Sequence, residues 1–96
     1  GSHLQAAVER ARKHGPVLVL TDTFGGTPSN LGIALHRSGE IEVVTGTNLP
    51  MIIKALQIAG KDVELLAAAR QVKEEGQRAI VVTGEVLGAV APGSER

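Results

Sequence analysis

Val17-Leu18-Val19-Leu20-Thr21-Asp22-Thr23-Phe24-Gly25-Gly26-Thr27-Pro28-Ser29-Asn30 is the stretch that decides the fold. Its first four residues are a continuous apolar run, too short for a helix after the stop at Gly15-Pro16. Such a run reads as a strand covered on both faces, as in a parallel sheet. Asp22 stands just past its end. Thr27-Pro28 then marks a helix start, because Thr27 can cap and Pro28 suits the first helical position. A strand followed by a glycine loop and a helix start puts that loop at the carboxyl end of the strand, where open α/β sheets bind ligands. Gly25 and Gly26 allow close approach of backbone to a ligand. The helix beginning at Pro28 would offer unpaired N–H groups to a phosphate or another anion. Thr23, Thr27 and Ser29 add hydroxyls, and an ionised Asp22 could orient a histidine ring through its spare N–H. The same residues also fit a plain tight turn with a capping aspartate. The loop holds no histidine, and the residues by themselves leave both readings open.

Working outward, Leu4, Ala7, Val8 and Ala11 fall at helical spacing, with Arg10, Arg12 and Lys13 in the last turns. Downstream, a helix through Leu31, Ala34 and Leu35 ends near His36, Arg37 and Gly39. Ile41-Glu42-Val43-Val44 reads as a second strand. Its following loop, Thr45-Gly46-Thr47-Asn48-Leu49-Pro50, should share a rim with the first, and Asn48 either caps the next helix or reaches a ligand. Met51, Ile52, Ala55, Leu56 and Ala59 give that helix an apolar face, and Gly60 stops it. Asp62 is read as the cap of a longer helix carrying Leu65, Leu66, Ala69 and Val72, with Gly76 as its end. Ala79-Ile80-Val81-Val82-Thr83 reads as a third strand. Alternation of this kind predicts an α/β domain with a mostly parallel central sheet flanked by helices. Three strands leave two edges open, so a partner chain or further strands should complete the sheet.

Composition narrows the function classes. The chain has 96 residues, 10 Lys+Arg against 10 Asp+Glu, and no cysteine. Balanced charge argues against nucleic-acid or membrane-surface partners, and no thiolate metal site or disulfide can exist. Phe24 is the only aromatic residue, so no base-stacking platform can be built. No apolar run approaches the roughly 20 residues that span a bilayer. His14 and His36 sit at predicted helix ends as dipole partners, and neither has a carboxylate at a spacing that argues for catalysis. No metal or cofactor is expected. The G-x-x-x-x-G-K-[ST], G-x-G-x-x-G and G-x-S-x-G motifs are absent. Glu74-Glu75 reads as a solvated helix face.

The two loops together carry a resemblance. Asp22-Thr23-Phe24-Gly25-Gly26-Thr27-Pro28-Ser29-Asn30, then Glu42-Val43-Val44-Thr45-Gly46-Thr47-Asn48-Leu49-Pro50-Met51, resembles the mannose/fructose-family IIA component of the bacterial sugar phosphotransferase system. The likeness runs from about residue 4 to residue 87. It implies a cytoplasmic homodimer that takes phosphate from the histidine phosphocarrier protein onto a histidine and passes it to a IIB component. It implies that Asp22 pairs with that histidine, that Phe24 stands beside it, and that Thr27 contacts phosphate, with Gly25, Gly26 and Asn48 in the active-site loops. It further implies that the last strand, residues 80–83, is antiparallel and exchanged between subunits.

The family's phosphorylated histidine ends a first strand, and no such strand-end histidine is found in this sequence. Residues 1–3 read as an expression-tag remnant, 4–88 as a IIA-like domain lacking its N-terminal strand–helix–strand, and 89–96 as a flexible tail. As it stands, the chain should not accept phosphate by itself. The rival expectation is a non-catalytic anion-binding or regulatory module of the same fold.

Overall fold

The structure is a computed structural model that describes residues 2–22 and 32–90. In chain order it comprises α1 (Ser2–Arg12), β1 (Val17–Leu20), β2 (Ile41–Val44), α3 (Leu49–Ile58), α4 (Leu65–Arg78) and α5 (Thr83–Val90). Residues 32–35, between β1 and β2, are helical and are called α2. The expected helix start at Thr27-Pro28 and the tail beyond residue 90 lie outside the described residues.

β1 and β2 form the predicted parallel pair, with Val17 opposite Ile41 and Leu20 opposite Val44. The strand alternation sorts their side chains. Val19 and Ile41 are buried with Val8 of α1 and Leu35 of α2, and Leu4, Val17 and Val43 pack around them. On the other side, Leu18 and Leu20 line a cleft of about 540 Å³ with Leu56, Ile58, Val63 and Leu65 of the α3–α4 region. The sheet is therefore clad on both faces, which is what continuous apolar strands require. α4 supplies the second part of the core, burying Leu65, Ala68, Ala69 and, completely, Val72.

Helix ends follow local chemistry. His14 and Gly15 donate N–H groups to the carbonyls of Ala11 and Arg12, at 3.0 and 3.1 Å, and close α1 ahead of Pro16. Only part of the expected α1 stripe is used: Val8 is buried and Leu4 half-buried, whereas Ala7 and Ala11 are exposed. Likewise Leu56 of α3 and Leu66 of α4 are exposed.

Three expectations need correction. The cap of α4 is Glu64, not Asp62: its side chain accepts from the Ala67 N–H at 3.0 Å. Gly76 does not end α4, which continues to Arg78. Gly76 is buried, and a Cβ built on it would lie 2.5 Å from Met51 Cγ. A glycine inside a helix costs about 1 kcal/mol relative to alanine, and here that cost is offset by close approach of α4 to α3. Finally, residues 79–83 are not a strand. Ala79 closes α4 by donating to the carbonyls of Gly76 and Gln77, and Ile80 donates to Gln77. The Val82 carbonyl already accepts from Glu85 and Val86 at the start of α5. With its backbone bonded to helical turns on both sides, this apolar segment makes no ladder with the described residues, and Ile80, Val81 and Val82 are exposed. Among the described residues the sheet has two strands.

A surface ion network fastens α1 to the turn before β2. Arg12 is its hub, with Nε donating to Glu9 Oε1 and Nη1 to Glu40 Oε1, both at 3.1 Å. Arg37 Nη2 lies 2.8 Å from the other Glu9 oxygen. The hydrogen bond from Arg12 holds the Glu9 carboxyl below the usual glutamate range; desolvation opposes this and the Arg37 charge adds to it. A carboxyl whose pKa is lowered by folding stabilises the fold above its unfolded pKa, and the contribution fades as pH falls through the folded value. Thermal melts of wild type and Glu9→Gln should therefore differ at pH 7. The gap should start to shrink as pH falls past the unfolded glutamate value of about 4.3 and vanish only beneath the lowered folded value, where the wild-type carboxyl is protonated too.

Candidate functional site

Because β1 and β2 are parallel and in register, they finish side by side, at Leu20 and Val44. The two loops that leave them are stitched together at once. Thr21 donates its N–H to the Val44 carbonyl at 3.0 Å, continuing the ladder by one residue. The Thr21 carbonyl then accepts twice from Thr47: from the backbone N–H at 3.0 Å and from Oγ1 at 2.7 Å. Gly46, at φ +78°, supplies the left-handed turn that bends the second loop back toward the first.

Asp22 follows Thr21 directly and is exposed. Its backbone is anchored one residue away, while its carboxylate is open to solvent at the carboxyl rim of the sheet. The sequence placed Asp22 and Asn48 on one rim, and the structure puts those two residues there, after the ends of β1 and β2. Phe24, Gly25, Gly26 and Thr27 lie outside the described residues.

Asn48 is held at both ends of its side-chain amide. Its Oδ1 accepts from the Met51 N–H at 3.3 Å, making it the N-cap of α3, and its Nδ2 donates to the Gly76 carbonyl at 3.0 Å. Its backbone N–H approaches Met51 Sδ at 3.4 Å. Of the two expected roles for Asn48, capping is the one this geometry displays.

The histidines take other positions. His14 closes α1 ahead of β1, at the end of the strand remote from Asp22, and lines the apolar cleft beside Gly60 and Lys61. His3 is exposed in the first turn of α1. His36 has a carboxylate partner that its helix-end position did not suggest: its Nε2 is 3.2 Å from Glu42 Oε2. That contact arises because Arg37 and Ile41 exchange backbone hydrogen bonds across the turn at Gly39, doubling the chain back. Spacing alone gave no sign of it. Among the described residues, no group of three or more histidine, aspartate or glutamate side chains could hold a metal ion. No helix of the described residues is long and apolar enough to cross a membrane.

Comparison with known proteins identifies the family. The family described as EIIA-man, PTS system fructose IIA component, matches residues 1–80. The chain belongs to that family. The PTS system mannose-specific EIIAB component of Escherichia coli K12 is 35% identical over 80 residues, covering 79% of this chain and 25% of the relative. The protein of the same name from Shigella flexneri gives the same figures. The chain thus spans about a quarter of the length of these relatives. No solved structure matches. Among the described residues the architecture combines helices with a two-stranded parallel sheet.

Thr47 is the rim residue whose part was not readable beforehand, since its partner depends on the register of two strands. Thr47→Val keeps the shape and the backbone N–H but removes the Oγ1 donor. Chemical denaturation should show a loss of about 1 kcal/mol, and Thr47→Ser should recover most of it.

Proposed function

We propose that this chain forms the phosphate-handling rim of a cytoplasmic IIA phosphocarrier, with Asp22 as the residue that orients and charge-stabilises the acceptor histidine. The observation that carries the reading is Asp22 itself, an exposed carboxylate beside two loops bonded together at the carboxyl ends of parallel strands. Membership of the IIA family supports it. In the proposed reaction the P–N bond on the histidine phosphocarrier protein breaks as a new P–N bond forms on the acceptor imidazole. A IIB component then takes the phosphoryl group in the same way, for sugar uptake or its regulation. Phe24, Gly25, Gly26 and Thr27 are assigned to the phosphate-contacting loop, as the family motif implies.

The acceptor is assigned to a segment outside this chain. His14 lies at the wrong end of β1, and His36 is engaged with Glu42. Asp22, ionised near the acceptor, favours the protonated imidazole. Asp22→Asn in the full-length protein should slow transfer about tenfold at constant fold, because the carboxylate that steadies the positive charge building on the imidazole as the new P–N bond forms is lost. Phosphorylation by phosphoenolpyruvate and the general phosphotransfer proteins, followed by mass spectrometry, tests both points. Acid-labile phosphate on His3, His14 or His36 would contradict the assignment, and no phosphate on the full-length protein would favour a non-catalytic anion-binding or regulatory module.

The same reading includes a homodimer. Among the described residues, Ile80, Val81 and Val82 are exposed and lie between α4 and α5 without a ladder partner, and β2 beyond its Ile41–Arg37 bridge pairs with β1 alone. Pairing of that segment with a second copy, as an exchanged antiparallel strand, would cover both. Light scattering at micromolar concentration should report a dimer, and Val81→Pro, which removes a ladder donor, should yield monomer or unfolded chain. A folded wild-type monomer would sink the exchange.

A further inference from the structure

Gly76 lies on α4, outside the loops that form the rim, yet its bare Cα is where α4 meets the second loop. A Cβ at this position would come within 2.5 Å of Met51 Cγ, 2.7 Å of Met51 Sδ and 3.1 Å of Asn48 Oδ1. Met51 is only 4% exposed, so its thioether has little room to retreat. The carbonyl of the same glycine accepts from Asn48 Nδ2 at 3.0 Å. One residue along the loop, Thr47 gives both its N–H and its hydroxyl to Thr21, the neighbour of Asp22. A continuous path of short contacts therefore runs from the interior of α4, through Asn48 and Thr47, to the backbone that carries Asp22.

We infer that Gly76 is a positioning residue for the candidate site: with its carbonyl and its missing side chain, α4 fixes Asn48 and hence the height of residues 45–48 against Asp22. An N-cap needs only an acceptor oxygen. The second bond, from Nδ2 to a helix carbonyl on another element, adds nothing to capping and everything to placement. It also explains why an amide side chain stands at position 48, where serine, threonine or aspartate would cap as well.

Asn48→Asp separates the two roles. It keeps an oxygen for the Met51 N–H but sets a carboxylate against the Gly76 carbonyl. In the full-length protein, hydrogen exchange at the Thr47 amide should accelerate about tenfold. Exchange at Val17, whose N–H is bonded to Glu40 at the other end of the sheet, should be unchanged. Gly76→Ala should loosen Thr47 in the same selective way, and adding Met51→Ala, which removes the clashing atoms, should restore part of the protection. The kinetic arm rests on the phosphotransfer reading: Asn48→Asp should lower the maximal transfer rate about tenfold, with KM for the phosphorylated carrier unchanged. Wild-type exchange at Thr47 in Asn48→Asp overturns the inference, as does loosening of Thr47 with no slowing of transfer. A wild-type protein that takes no phosphate, but whose Thr47 is loosened by Asn48→Asp, upholds the placement role and overturns the phosphotransfer reading instead.

Discussion

Parallel pairing of Val17–Leu20 with Ile41–Val44 is the constraint on which the rest of this molecule depends. In an antiparallel pair, the end of one strand faces the start of the other. Here both chains run out at the same level, so the loops after Leu20 and Val44 must share one rim. The shared rim is what allows the Thr21 carbonyl to take two hydrogen bonds from Thr47. Those bonds satisfy backbone groups that would otherwise be left at the end of the ladder, and they fix the base from which Asp22 projects.

The helices serve that pair in different ways. α1 and α2 close one face with Val8 and Leu35, and the ion network through Arg12 ties the start of the chain to the turn ahead of β2. α4 does more than cover the opposite side. Its buried face, centred on Val72, is apolar packing, but at Gly76 it comes close enough to bond the N-cap of α3. Packing and site geometry are therefore set by one helix, and the closeness of its approach is set by a residue without a side chain.

Much of this was legible in the sequence where the signal is local. The apolar runs at Val17 and Ile41, the stop at Gly15-Pro16 and the cap at Asn48 each carry their own chemistry within a few residues, and the structure displays them. What escaped depends on distant contacts. Gly76 reads as a stop signal, since glycine usually ends helices; only the presence of Met51 against it shows why it sits inside one. Asp62 is the residue type that caps best, yet α4 starts at Leu65, which leaves Glu64 as the side chain in reach of the Ala67 N–H. The run at Ile80 has strand composition, but strand composition describes suitability for a sheet, not the presence of an open edge. His36 and Glu42 meet because of a turn whose geometry no periodicity encodes. Asp22 was placed by the strand that precedes it, and its setting beside Thr47 came only with the register.

The contact between Gly76 and Met51 also bears on how this sequence is free to change over generations. A side chain at position 76 collides with a long one at position 51, so the long one must shift, and a short residue at 51 leaves a void that a larger residue at 76 would fill. The two positions, 25 apart in the chain, behave as a single inherited character. A lineage that altered either would pass through a poorly packed intermediate, so substitutions at the two sites should be found together or not at all. The amide at 48 belongs to the same linked set, because its partner is the carbonyl that such a change would displace.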